Sequence, residues 1–259
     1  MLFSVAGERV YAVDNGVRLP VLMYHSTFYK DVGKYNIHPS MLENDLKYLK
    51  RHGYTTITVQ DLIDYGAGNA ELPDKPVMLT FDDGYLTNYY YAYPLFKKYG
   101  MKLVMSVIGS CVDENYKAGS KNKAAHVNYE QIKEMTDSGL VEIQNHTYNL
   151  HKSKKTKGLS KLPDESYDAY KARLSADLMR LNDSLTEHIG IKCTAVAFPF
   201  GFYTKGDTLN VIKELGFTAS FTCTYGINYI NRQSDFHLLK RINRSGNTPS
   251  EEFFKRQKM

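Results

Sequence analysis

The sequence predicts an α/β fold, a barrel of seven or eight strand–helix units, and three observations carry that expectation. Short apolar runs alternate with amphipathic stretches along most of the chain. Residues with chemistry to offer fall directly after several of those runs. No GxGxxG follows a first strand, which weakens the rival open sheet of the dinucleotide-binding kind.

Taken in order, Leu19 to Tyr24 (LPVLMY) reads as a buried strand, and Leu42, Leu46 and Leu49 mark one face of a helix stopping at Gly53. Thr55 to Val59 is a weaker strand, followed by a short helix at Asp61 to Tyr65. Pro76 to Phe81 (PVMLTF) is a strong buried strand. The helical stretch from Leu86 to Tyr99 contains Pro94, so a break or kink is expected there. Lys102 to Ile108 reads as strand, Tyr129 to Met135 as helix and Leu140 to Asn145 as strand. Leu174, Leu178, Leu181 and Leu185 mark the longest helix. Thr194 to Phe198 is strand, Leu209 to Leu215 helix and Phe217 to Thr222 strand, with Phe236 to Ile242 closing the set. Strands alternating with helices at this spacing imply a largely parallel sheet.

The chain has 259 residues, no repeat period and no linker rich in Gly, Pro or Ser, so a single domain over 1–259 is expected. With 33 basic and 28 acidic residues the charge is +5, an ordinary soluble surface that also fits an anionic cell-wall polymer. No nucleic-acid partner is expected, and no run approaches the ~20 apolar residues of a membrane span. The first residues, MLFSVAGERVYAV, show no basic flank before a long apolar stretch, so no signal peptide is visible. Cys111, Cys193 and Cys223 are widely spaced without a CxxC. They read as three buried thiols, with a Cys193–Cys223 bridge as the alternative.

The chemistry gathers at strand ends. His25 follows LPVLMY, Asp82 and Asp83 follow PVMLTF, His146 follows LVEIQN, and Phe198-Pro199-Phe200-Gly201 ends TAVAF. In a parallel barrel all these ends open on one face, which carries the active site. Two carboxylates and two histidines, with His151 close behind, suit a zinc site with three protein ligands and an open position for water. Asp82 and Asp83 share such a site only if the chain turns, which Gly84 permits. One carboxylate then binds metal while the other sits beside the metal's water. His146 and His151 would lie roughly 140° apart on a helix, so a loop must bring them together. His38, His52, His126, His188 and His237 read as structural.

At this point the sequence resembles the polysaccharide deacetylases of carbohydrate esterase family 4. Thr80-Phe81-Asp82-Asp83-Gly84 is its TFDDG motif, and His146 to His151 (HTYNLH) looks like its H[S/T]xxH motif with one extra residue. With MYH near the N-terminus, the pattern looks most like the poly-N-acetylglucosamine deacetylase branch, over roughly residues 19–245. The resemblance implies a distorted barrel that hydrolyses N-acetyl groups from an N-acetylglucosamine-containing polysaccharide and releases acetate. It implies Asp82 as general base, and Asp83, His146 and His151 as ligands of one divalent ion. Zinc is the first choice, with cobalt, nickel or iron(II) as alternatives. Phe198, Pro199, Phe200 and Gly201 match a groove wall, with the Phe200 amide as oxyanion donor. His25, after Leu22, looks like the family's last motif moved to the front, a proton donor raised in pKa by neighbouring carboxylates. The family's third motif begins with arginine where this chain has Ala197, and Arg241 is the candidate replacement for orienting the base. The resemblance also implies a bacterial protein outside the cell or at its envelope, with any signal segment absent from this chain and the cytoplasm as alternative.

Lys152, Lys154, Lys155, Lys157 and Lys161 read first as a solvated loop and second as a grip on an anionic polymer. Two rival functions remain. An amidohydrolase acting on a small cyclic amide or imide would have a deep closed pocket. A catalytically dead glycan-binding barrel is favoured only by Ala197.

Overall fold

The computed structural model describes residues 16–118, 125–151 and 158–259. Its main sheet contains β1 (Val21–Tyr24), β2 (Thr55–Thr56), β3 (Pro76–Phe81), β4 (Leu103–Val107), β5 (Val141–Asn145), β6 (Ala195–Ala197), β7 (Ala219–Phe221) and β8 (Ile242–Asn243). The order is β7-β6-β5-β4-β3-β1-β8, with β2 beside β3, and every pairing is parallel. Around it lie α1 (Pro39–Arg51), α2 (Val59–Gly66), α3 (Tyr93–Tyr99), α4 (Gly109–Ala118), α5 (Tyr129–Asp137), α6 (Tyr167–Ile189), α7 (Asp207–Glu214) and α8 (Ser250–Arg256).

Alternation along the strands sorts the core into two layers. Leu22, Tyr24, Leu79, Phe81, Leu103 and Met105 pack with the helix leucines Leu42, Leu46, Leu174, Leu178 and Leu181. Val21, Met78, Val104, Ala195, Ala197, Ala219 and Phe221 form the other layer, on the concave face. The small alanines of β6 and β7 allow the sheet to curl inward there.

Four expectations are corrected. Leu19 to Tyr24 is not one strand: Val17–Leu19 pairs antiparallel with Asn228–Ile230, and the sheet strand starts after Pro20. Proline has no N–H for a ladder, and the Pro20 carbonyl instead accepts from Met78 N at 3.0 Å. The Thr55 strand is only two residues long, because Thr58 caps α2 in a capping box with Asp61 and Val59 is already helical. Before Pro94 the chain makes a π-helical turn, Asn88–Ala92, so the expected break precedes the proline, which sits in the first turn of α3.

The fourth correction matters most for the site. Phe236 to Ile242 is not a strand, since Leu238 has φ 58°. Leu239 exchanges hydrogen bonds with β7 (Leu239 N to Ser220 O, 2.8 Å; Thr222 N to Leu239 O, 3.0 Å), and Ile242–Asn243 then pairs with β1. One segment thus reaches from one sheet edge to the other, and the barrel is distorted where it crosses. α4 and α8 were not anticipated; neither carries a long apolar stripe.

Candidate active site

The C-terminal ends of β1, β3, β5 and β6 surround a cavity of about 1080 Å³, lined by His25, Asp82, Asp83, His146, His151, Phe198 and Phe200. Tyr35, Lys34, Asp31 and Cys223 form its outer wall and are exposed, so it is an open cleft. That openness removes the reason for preferring a small cyclic substrate.

Backbone geometry explains how consecutive residues reach one point. Asp83 adopts φ 68° and Gly84 φ 71°, turning the chain sharply after Asp82. A Cβ on Gly84 would lie 2.9 Å from Val107 Cγ1, so no larger residue fits without movement. Thr147 (φ 69°) and Phe200 (φ 58°) are also left-handed. Strained conformations in non-glycine residues cluster at functional sites, and these three fall in three separate motifs around one cavity.

Asp83, His146 and His151 converge. His146 Nε2 lies 3.4 Å and His151 Nε2 3.3 Å from Asp83 Oδ1. Their ligand atoms all lie within 4.8 Å of one another. Asp83 Oδ1 is buried with no hydrogen-bond partner. His146 Nδ1 lies 2.9 Å from the Ala197 carbonyl, which fixes the tautomer with Nε2 as the free acceptor. An orphaned carboxylate oxygen beside two imidazole nitrogens fits one divalent cation. Burial alone would raise the Asp83 carboxyl, but the neighbouring His146, with His25 and His151, holds it well below the usual range. Burial alone would lower His146, yet Asp83, Asp82 and the Ala197 carbonyl raise it. At His151 burial and the neighbouring His146 prevail and lower it.

Asp82 is treated differently. Arg241 donates Nη1 to Oδ1 at 2.7 Å and Nη2 to Oδ2 at 2.8 Å, both side chains being buried. Its Nε donates to Thr222 O at 2.9 Å and Nη1 also reaches Thr80 Oγ1 at 3.2 Å. The arginine therefore comes from the crossing segment, while Ala197 contributes a carbonyl. Burial would raise the Asp82 carboxyl; the Arg241 charge overrides it and lowers it.

His25 lines the same cavity, its Nδ1 buried without a partner and its ring 4.7 Å from that of Tyr35. The expectation that carboxylates raise its pKa is overturned: burial outweighs Asp82 and Asp83, and the pKa is lowered. Phe198 and Phe200 line the cavity, with the Phe200 ring 4.5 Å from that of His151. Pro199 is buried behind them, and Gly201 (φ 72°) backs onto Cys223.

None of the three cysteines is in a disulfide, and only Cys193 is buried. Cys223 is exposed because it follows the end of β7 at the rim, whereas Cys193 precedes β6 at the other end. Lys152, Lys154, Lys155 and Lys157 lie outside the described residues, and Lys161 lies 3.6 Å from Asp207. His38 caps α1, His52 and His188 bond carbonyls one turn back, and His237 lies 3.4 Å from Ser220 Oγ. His126 stacks on Tyr85, whose hydroxyl lies against Asp83. Tyr85 was not singled out from the sequence, although its place directly after TFDDG was a usable signal.

Fold and site together point to one family. Residues 69–220 match the polysaccharide deacetylase family model, more than half of the chain, and the chain belongs to that family. Among solved structures, IcaB from Ammonifex degensii is 33% identical, with 90% of this chain and 89% of that one covered and a TM-score of 0.69. The de-N-acetylase from Aggregatibacter actinomycetemcomitans is 29% identical, with 92% and 99% covered and a TM-score of 0.76. The poly-beta-1,6-N-acetyl-D-glucosamine N-deacetylase of Staphylococcus aureus is 29% identical over 204 residues, 77% of this chain. The chain spans less than two thirds of its curated relatives: 65% of that enzyme, and 42% of the Bacillus subtilis polysaccharide deacetylase YxkH. Among the described residues no helix is long and apolar enough to cross a membrane.

Proposed function

We propose that this chain, as one domain with its core at about residues 19–245, removes N-acetyl groups from N-acetylglucosamine units of a polysaccharide and releases acetate. The observation that carries the reading is the orphaned Asp83 oxygen between two imidazoles, beside a second carboxylate clamped by arginine in an open cleft. Asp83, His146 and His151 would hold one divalent ion, zinc for preference because two nitrogens and one oxygen with an open position suit it. Such an ion supplies Lewis-acid polarisation of the acetamide carbonyl and a more acidic water.

The chain's own residues do the rest. Asp82, held ionised by Arg241, accepts the proton of the attacking water. The Phe200 amide is our candidate donor to the developing oxyanion, with Phe198, Pro199 and Gly201 shaping that wall. His25, whose pKa burial lowers, takes up the proton that Asp82 accepted from the water and passes it to the departing nitrogen as the C–N bond breaks. A polymeric substrate of this kind puts the enzyme outside the cell or at the envelope.

The test is acetate release over a panel of N-acetylated glycans, before and after chelation. Release from N-acetylglucosamine oligomers that stops on chelation and returns with zinc or cobalt supports the reading. Full activity in metal-free protein overturns it.

A further inference from the structure

The loop from His146 to His151 leaves regular structure, so its peptide groups need partners from elsewhere. They find them from three directions. Thr147 N donates to Asn145 Oδ1 at 2.7 Å, and Leu150 N to Thr147 Oγ1 at 3.2 Å. Gly109 N and Ser110 N, at the start of α4, donate to the carbonyls of Thr147 (3.1 Å) and Tyr148 (2.8 Å). Gly109 has to be glycine for this approach, since a Cβ there would lie 2.6 Å from Tyr148 Cδ2. The third partner is Asp177 of α6. Its Oδ1 accepts from Tyr148 N at 2.8 Å and its Oδ2 from Asn149 N at 2.9 Å.

Asp177 is thus a two-pronged acceptor for consecutive amides midway between the two histidines. We infer that Asp177 is a positioning residue that sets the separation of His146 and His151, and so the metal affinity of the site. Other contacts on the loop do not duplicate it. The Tyr148 ring is held by Asp113 through its hydroxyl (2.7 Å) and covered by Arg180 (3.8 Å), which fixes a side chain and leaves the two amides to Asp177. An asparagine at 177 would accept one amide and turn its own N–H groups on the other. An alanine would leave both to water. Either way the loop loses the tie that holds His151 toward Asp83.

The inference rests on the metal-site reading above, and its test separates the two. Metal-stripped wild type, Asp177→Asn and Asp177→Ala are titrated with Zn2+ and with Co2+ against a chromogenic chelator, and the cobalt absorption bands are recorded. Both variants should bind about 10–100-fold more weakly, the usual cost of losing a group that orients metal ligands. Their cobalt bands should shift, and excess metal should restore most of kcat with KM unchanged. Asp183→Asn, exposed on the same helix, should bind like wild type. Variant affinities and bands indistinguishable from wild type overturn the inference, even if the melting temperature falls. Failure of the wild type to bind either ion removes the metal site and this inference with it. Should the asparagine variant not fold, the alanine variant carries the test.

Discussion

Two buried arginines from the same stretch of chain, Arg241 and Arg244, each clamp an aspartate with two hydrogen bonds, and their carboxylates face different surroundings. Arg244 holds Asp45 of α1 through Nε (2.7 Å) and Nη2 (2.9 Å), and Tyr24 donates a further bond to Asp45 at 3.0 Å. Its remaining donors reach Thr248 O, Ser245 O and Ser250 Oγ, so that pair is closed on every side. Arg241 is satisfied equally well, but its aspartate lines the cleft. A carboxylate has about four lone-pair positions. Asp45 spends a third on a tyrosine, whereas Asp82 keeps what Arg241 leaves for water or substrate. Burial and pairing alone therefore do not mark a catalytic group; what the free side of the carboxylate meets does.

The largest expected effects test that contrast directly. Asp82→Asn should retain metal and fold while losing about 10²–10⁴-fold in kcat, the range for removing a general base. Asp45→Asn should keep the rate of its folded fraction; either variant leaves a buried arginine unpaired, at about 3–5 kcal/mol of stability, so the rate is what separates them. Metal content, kcat and melting temperature measured on both variants decide the matter. Matching losses of stability with no rate defect at Asp82 would break the distinction.

His25 sharpens it, because it directly follows Tyr24: one residue reaches back to Asp45 while the next lines the cleft with Asp82. His25→Ala should bind metal normally and lose on the order of 10²-fold in kcat. Burial lowers the His25 pKa, so its protonated form is lost at a pH below the ordinary 6.5. Any alkaline limb it contributes to the pH–rate profile should lie below that value and vanish in the variant. A limb that persists unchanged in His25→Ala assigns the proton to another group.

Arg241→Met should have a smaller effect, with a definite sign. Burial raises the Asp82 carboxyl and Arg241 lowers it; without the arginine the raising effect is unopposed. As the proposed base, Asp82 works only when ionised, so the acid limb of the profile should move to higher pH. In stability the sign agrees. A carboxyl depressed in the folded state contributes above its unfolded pKa and loses that contribution as pH falls through the folded one. The variant should therefore lose less stability on acidification than wild type. An acid limb at the wild-type position would show that Arg241 does not set the charge of Asp82.

How much of this was legible in the chain depends on range. The parallel barrel was, because each strand–helix unit carries its own local periodicity and the motif residues sit at strand ends. Arg241 was legible only as a charge near the last strand, since its route to Asp82 depends on the left-handed turn at Leu238, which no pattern announces. The Asp45–Arg244 pair, 199 residues apart in sequence, and Asp177, on the leucine-rich helix, left no local trace. Their roles come from what the fold brings beside them. The His25 shift was misjudged because neighbouring charges can be read from a motif and depth of burial cannot.

The smallest expected effect is the most discriminating. Tyr24→Phe, Asp45→Leu and Arg244→Met made together remove the closed pair with its tyrosine and leave no orphaned charge. Replacing a buried ion pair by apolar groups of similar volume is often neutral or stabilising, because desolvation offsets the attraction. Leu42, Leu46 and Phe253 already provide apolar surroundings. The triple variant should thus melt near the wild-type temperature, well above Asp45→Asn, and deacetylate at the wild-type rate. The matching exchange at the cleft, Asp82→Leu with Arg241→Met, should also fold yet be inactive. A triple variant that folds but loses kcat would show that the closed pair positions the end of β1, and with it His25, so that the two arginines serve one site.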